Sequence, residues 1–389
     1  MIRTKSLQSF VNIRHFKNAS WDEVISSPYK PLFDMAYCDI QFWFENANKF
    51  NFRSFILPKP TLIAWTDASD FAVAAFVIIL HTELVPNAIT ADNLLIDRSN
   101  YSSILNHRAI MQVDTLPHWT NGGNIVRDAY DLDPHSVKWH YVIHRNLTVF
   151  ERTLSSTERE LLAILYMVTS ILPHLRSKTI TVHSDSQNAV TILQQGSNKA
   201  YLNKYARLVS DIAIHNDIKI NCVWIPRTLN NVADTVSEIF DFDDFMINLE
   251  FYRDICTDFS VKPTFDRFAN AENKKVEFFN SLYYCSGTSG VDAFNYDWSL
   301  TELNWLFPPI RRVLKALSYL RICKAKALFL IPQWKFSAFY TAFQNIPTKY
   351  VRSTRVYNAR NKITSGSDST SFFGPEYDGN IEVWYISFA

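Results

Sequence analysis

The chain has 389 residues, 47% of them hydrophobic and 20% charged. That balance leaves room for two domains with a smaller third piece, and it excludes a wholly disordered or collagen-like chain. With 39 basic and 38 acidic residues the net charge is +1, so overall charge singles out no polyanionic partner.

The longest apolar run, Phe71 to Leu80, is ten residues, against the ~20 that a bilayer-spanning helix needs. Met1 to Phe10 mixes Arg3, Lys5 and Gln8 among its apolar residues, so no signal-peptide core is present and no membrane is expected. Five cysteines, scattered and never as a CxxC pair, suit buried thiols in a reducing compartment better than disulfides or a zinc site. The expectation is an intracellular protein, in nucleus or cytoplasm.

Residues 1 to 60 read as mixed helix and loop ending at Pro58 and Pro60. Leu62-Ile63-Ala64-Trp65 is a buried-strand pattern running into Asp67, and Ala72 to Leu80 is a second strand. Residues 81 to 137 lack periodicity and carry turn signals at Asn121-Gly122-Gly123 and Asp133-Pro134, so an insertion with some structure of its own is expected there. Val137 to Ile143 and Thr148 to Leu154 read as strands. Ser155-Ser156-Thr157-Glu158 caps a helix running to Leu172, before Pro173. Thr179 to His183 is a strand ending at Ser184-Asp185, followed by a helix to Gln195. Tyr201 to His215 reads as a helix, Ile218 to Ile225 as a strand, and a last helix opens near Asn230. This is an α/β order. A linker is expected over 241–260, and Pro263 to Phe268 and Lys326 to Ile331 look like strands of a second α/β unit over 261–389.

Charge is uneven along the chain. Between Leu303 and Gly366 there are twelve Lys or Arg and no Asp or Glu, leaving 27 basic against 38 acidic residues elsewhere. This basic stretch is interleaved with aromatics such as Trp305, Trp334 and Tyr350, a composition suited to tracking a phosphate backbone and stacking bases. The plainer reading is a solvated helix face: Ile310, Val313, Leu314, Leu317 and Leu320 form an apolar stripe, with Arg311, Arg312 and Lys315 elsewhere on the surface.

Four acids fall in or at the ends of the expected elements: Asp67 in Trp65-Thr66-Asp67-Ala68-Ser69, Glu160 in Glu160-Leu161-Leu162-Ala163-Ile164, Asp185 in His183-Ser184-Asp185-Ser186-Gln187-Asn188-Ala189, and Asp234 after Asn230-Asn231-Val232-Ala233. Hard divalent cations take carboxylate oxygens, and two ions roughly 3.5–4 Å apart need several converging carboxylates. The ends of sheet strands and adjoining helices are where an α/β fold gathers them. His140 and His144 sit in a strand-like run rather than on a helix, and the adjacency of His183, Ser184 and Asp185 does not make a catalytic triad.

These motifs, with Trp224-Ile225-Pro226-Arg227, make residues 61–240 resemble a retroelement ribonuclease H domain, most closely that of tyrosine-recombinase (DIRS-type) retrotransposons. Asp39-Ile40-Gln41-Phe42-Trp43 resembles the connection that follows a reverse transcriptase, so 1–60 is expected to be connection-like, with the polymerase part missing. Asp266-Arg267-Phe268-Ala269, Gly290-Val291-Asp292-Ala293-Phe294 and Pro308-Pro309 resemble the adenine-methyltransferase-like domain those elements carry next. The resemblance implies a ribonuclease H-like mixed sheet flanked by helices, then a second, smaller α/β domain.

It further implies two Mg²⁺ (or Mn²⁺) ions and hydrolysis of the RNA strand of an RNA–DNA hybrid, leaving a 5′-phosphate and a 3′-hydroxyl. Asp67 and Asp185 would bridge both ions, Glu160 would hold one and Asp234 the other. Ser69, Ser186, Asn188, Arg311, Arg312 and Lys315 are the expected nucleic-acid contacts, and a separate reverse transcriptase is the expected protein partner.

The sequence departs from the family at three places. Ala72 and Ala74 replace glycines of the second strand, Arg227-Thr228-Leu229-Asn230 lacks the mobile His of many relatives, and Phe307 stands where a methyltransferase carries Asn or Asp before Pro-Pro. Phe307 accepts no hydrogen bond from an adenine amino group, so the last domain is expected to be inactive. The alternative to a nuclease is an inactive remnant or a co-opted nucleic-acid-binding scaffold. A DDE-type transposase is disfavoured, because that class places its last Glu after the central strand's Asp.

Overall fold

The computed structural model describes residues 4–16, 30–50, 60–80, 137–241, 245–365, 373 and 377–389. The insertion expected over 81–137 lies outside the described residues except for its last position. Contacts divide the described chain into two units. The first holds residues up to 80, 137–140 and 154–238; the second holds 141–153 and the chain from 239 onward.

The first unit opens with helices α1 (Lys5–Phe16) and α2 (Lys30–Phe50), which pack on each other. Asp39, buried on α2, lies 3.2 Å from the Arg207 guanidinium. The five-stranded sheet has the order β3-β2-β1-β4-β5, from β1 (Leu62–Ala68), β2 (Ala72–Leu80), β3 (Val137–Asn146), β4 (Thr179–Ser184) and β5 (Lys219–Trp224). β1 is antiparallel to β2 and parallel to β4, and β4 is parallel to β5. This is a mixed sheet, and β1 and β4 are buried along nearly their whole length, the pattern of strands covered on both faces. Ala72 and Ala74 are almost fully buried in β2.

Helix α3 (Ser156–Ser170) starts where the sequence places it. Ser155 accepts from the Glu158 amide, and Glu158 returns a bond to the Ser155 amide, a capping box that satisfies two exposed donors. Helices α4 (Gln187–Gln195), α5 (Ala200–His215) and α6 (Asn231–Ser237) complete the unit.

Thr148 to Leu154 is not a strand. Thr148 and Glu151 form a second capping box and start a one-turn helix, Val149–Arg152, while Arg145 clamps Glu151 with two bonds of 2.7 Å. Local cap chemistry outweighs the β-branched and aromatic composition here. The stretch read as a linker carries β6 (Phe245–Ile247) and α7 (Leu249–Phe259), with Phe251, Tyr252 and Ile255 buried.

The second unit is built on a seven-stranded sheet of order β12-β14-β11-β10-β7-β8-β9. Its strands are β7 (Phe265–Asp266), β8 (Phe278–Ser281), β9 (Gly290–Val291), β10 (Asn304–Leu306), β11 (Lys326–Pro332), β12 (Val351–Asn358) and β14 (Asn380–Ser387). The run from β9 to β11 is parallel throughout, and β14 is antiparallel to both β11 and β12. A short β13 (Ile363–Ser365) pairs with β6. Alternation along β11 divides the core: Leu328 and Leu330 meet α7 on one face, while Phe329 and Ile331 meet α8 (Val313–Ile322) on the other. The chain is therefore an α/β protein with a second α/β sheet after the first, as expected. No helix among the described residues is long and apolar enough to cross a membrane.

Candidate metal centre

Because β1, β4 and β5 run parallel, their carboxyl ends meet at one edge of the sheet, neighbouring strands lying ~4.8 Å apart. Thr66 is level with Ser184 and Ser184 with Trp224. Asp67 at the end of β1 and Asp185 just past β4 are therefore neighbours by register. Glu160, in the second turn of α3, joins them: ligand oxygens of Asp67, Glu160 and Asp185 lie within 4.8 Å of one another.

The polypeptide holds these acids from several sides. Ser237, at the end of α6, donates its hydroxyl to Asp67 Oδ2 at 2.5 Å. Glu160 accepts from the Ala68 backbone amide, which ties α3 to the end of β1. Arg159 reinforces the tie, donating to Ser69 O at 2.6 Å and Asp70 Oδ1 at 2.5 Å. Asn230 is fully buried, donates to Thr66 O at 2.9 Å and also bonds the Asp185 carboxylate. Trp224 donates its indole N–H to Asp185 O at 3.0 Å.

The electrostatics follow from packing acids in a largely dry place. Burial, with added repulsion from Asp185 and Asp234, pushes the Asp67 carboxyl up to about 7 against the opposing Ser237 bond and Arg227 charge. Burial and then repulsion from Asp67 and Asp185 hold Glu160 well above the carboxylate range. Asp185 is raised by burial and by Asp234, with Arg227 and Asn230 opposing. His183, inside β4, is pushed down to about 4 by burial and stays neutral.

Asp234 stands apart from the trio. Its Oδ1 accepts from Arg227 at 2.6 Å, yet its charge is felt at Asp67 and Asp185. Arg227 sits in the loop between β5 and α6, with 71% of its side chain exposed.

The donor set fits a hard divalent cation. It offers carboxylate oxygens only, it repels itself without a counter-charge, and Glu160 Oε2 is buried with no hydrogen-bond partner among the described residues.

The other expected contacts fall in different places. Ser69 has a structural position: its hydroxyl donates to Ser237 O at 2.6 Å and accepts from the Phe71 and Ala72 amides, shaping the β1–β2 turn. Ser186 caps α4 by accepting from the Ala189 amide, and Asn188 is exposed on the first turn of that helix. Arg311 and Arg312 lie in a 3₁₀ turn before α8, and Lys315 on α8 stands 4.0 Å over the Phe294 ring; all three belong to the second unit. Ser237, Asn230 and Arg159 were not singled out from the sequence. The spacing of Ser237 three residues after Asp234 on one helix was the available signal.

Residues 131–211 match the family model described as the RNase H-like domain found in reverse transcriptase. The match takes in Glu160 and Asp185, and the chain carries an RNase H-like domain of the reverse-transcriptase type. No curated protein matches the chain. RNase H1 from the halophilic archaeon Halobacterium salinarum NRC-1 aligns at 12% identity, covering 45% of this chain and 92% of that one, with a TM-score of 0.26. LC11-RNase H1, solved in complex with an RNA/DNA hybrid, aligns at 13% identity over 45% of this chain and 92% of that one, with a TM-score of 0.25. The foamy viral protease-reverse transcriptase aligns at 12% identity over 57% of this chain and 34% of that one, with a TM-score of 0.23.

Proposed function

We propose that the first unit is a metal-dependent endonuclease that hydrolyses the RNA strand of RNA–DNA hybrids. The observation that carries this reading is the convergence of Asp67, Glu160 and Asp185 within 4.8 Å. In this reading Asp67, Asp185 and Glu160 would hold the cations together with Asp234, whose carboxylate is engaged by Arg227. A bound pair of Mg²⁺ or Mn²⁺ ions supplies an activated water and neutralises charge at the scissile phosphate. The protein holds the carboxylates in place through Ser237, Asn230 and the Ala68 amide, so little reorganisation is needed when the ions bind. Contacts to the 2′-hydroxyl distinguish RNA from DNA, and the products carry a 5′-phosphate and a 3′-hydroxyl.

For the second unit we propose a non-catalytic, nucleic-acid-binding or scaffolding role. In an open parallel sheet, ligands sit beyond the strand carboxyl ends where the strand order reverses, here between β7 and β10. At the carboxyl end of β7 Asp266 accepts from the Phe268 and Lys275 amides, while Arg267 turns back to donate to Asn304 and Thr301 at the amino end of β10 and to Asn280. Phe307 is buried edge-on against Phe245 at 4.8 Å. Adenine methyl transfer does not fit this arrangement. The finer kinship, to DIRS-type retrotransposons, is supported by the sequence motifs alone.

The test is cleavage of a labelled RNA–DNA hybrid by the purified chain with Mg²⁺ or Mn²⁺, beside Asp185→Asn. Metal-dependent cutting of the RNA strand that falls at least about a thousandfold in the variant supports the reading. No cutting by well-folded protein favours the remnant or scaffold.

A further inference from the structure

Trp224 closes β5 level with Ser184 of β4, one residue before Asp185. Its indole N–H, the ring's only donor, is used by the Asp185 carbonyl at 3.0 Å. Yet 48% of the residue stays exposed. The exposed part of the ring has no polar demand left to satisfy, and nothing in the described chain covers it. Leaving that much aromatic surface in water forfeits burial, and the strand itself does not require it.

The position is what makes this exposure informative. The bond to Asp185 O fixes the ring at the rim of the carboxylate cluster, where the chain leaves β4 for α4. Polar side chains at the same rim, Asn188 on α4 and Arg227 after β5, are also exposed. A polynucleotide whose phosphate lies at Asp185 therefore meets a half-exposed aromatic ring fixed beside it. Aromatic faces serve nucleic-acid strands as stacking surfaces for bases and sugars without reading sequence.

We propose that Trp224 is a substrate-binding residue. Its exposed ring packs against the sugar or base of the RNA-strand nucleotide beside the phosphate at Asp185, while its N–H holds Asp185 in position. The inference rests on the hybrid-nuclease reading above and assigns that site a contact which is neither a metal ligand nor a phosphate binder.

The two roles separate by substitution. Trp224→Phe keeps a ring and removes the N–H; Trp224→Leu removes both. Hybrid binding is measured by fluorescence anisotropy in EDTA, and kcat and KM are measured with Mg²⁺. Trp224→Leu is expected to weaken hybrid binding about 5- to 100-fold, the range for loss of one stacking contact, and to raise KM. Trp224→Phe is expected to bind within about twofold of wild type and to lose kcat through the freed Asp185.

Wild-type binding with an unchanged Trp224→Leu affinity overturns the proposal while leaving the nuclease reading in place. No hybrid binding by folded wild-type protein overturns both. Should Trp224→Leu fail to fold, hybrid-induced quenching of tryptophan fluorescence decides: quenching present in wild type and lost in Trp224→Phe supports the contact, and equal quenching in both refutes it.

Discussion

Asp67→Asn separates the stability of the first unit from its chemistry. The Asp67 carboxyl is raised from 3.8 to about 7, chiefly by burial, so between those values the folded chain holds a proton that the unfolded chain has released. Stability must therefore fall as pH rises through that window, and the loss is complete above about pH 7. At ~1.4 kcal/mol per pH unit the ceiling is about 4 kcal/mol. Asparagine removes the charge and still offers Ser237 an oxygen acceptor, and it relieves the second-largest influence on Glu160. In EDTA at pH 8 the variant should be about 2–4 kcal/mol more stable than wild type, and the gap should close toward zero at pH 4. Urea unfolding followed by circular dichroism reads both values. Saturating Mg²⁺ should narrow the pH 8 gap by stabilising wild type, by about 2.7 kcal/mol at a hundred times the dissociation constant. A variant less stable than wild type at pH 8, or a gap that does not change with pH, would refute the argument that the acids oppose folding until a cation arrives.

Two further substitutions probe other parts of the structure. Arg227→Ala removes the cation paired with Asp234; the pair is solvent-facing, so stability should change by less than about 1 kcal/mol, while Mn²⁺ affinity measured by calorimetry should rise several-fold as a competing positive charge is lost. Arg267→Met leaves Asn304, Asn280 and Thr301 without the buried donor they share and should cost about 3–5 kcal/mol, seen as a lower urea midpoint. A shift under about 1 kcal/mol would show that the network relaxes around the gap.

Element boundaries explain what was legible in the sequence. Asp67, Glu160 and Asp185 could be placed because each lies in or beside an element with a clear pattern: an apolar strand, a capped helix, and a strand turning into a helix. Register then does the rest, since parallel β1 and β4 put their last residues side by side. Asp234 was harder, because the loop before it decides where its carboxylate points, and Arg227 takes that carboxylate in a contact no spacing rule announces.

The same limit explains the misread segment after β3. Ser155 and Glu158 were recognised as a capping box, but Thr148 and Glu151 carry the same chemistry within a run of β-favouring residues. Composition pointed one way and the cap the other; the clamp from Arg145 to Glu151, six residues apart, favours the cap. In the stretch taken for a linker, the acids at 241–244 drew attention from Phe251, Tyr252 and Ile255, whose spacing marks one face of a helix. Trp224 is the opposite case. The sequence carried it only as one member of Trp224-Ile225-Pro226-Arg227, and the proposed substrate contact rests on the bond to Asp185 O together with the exposed ring.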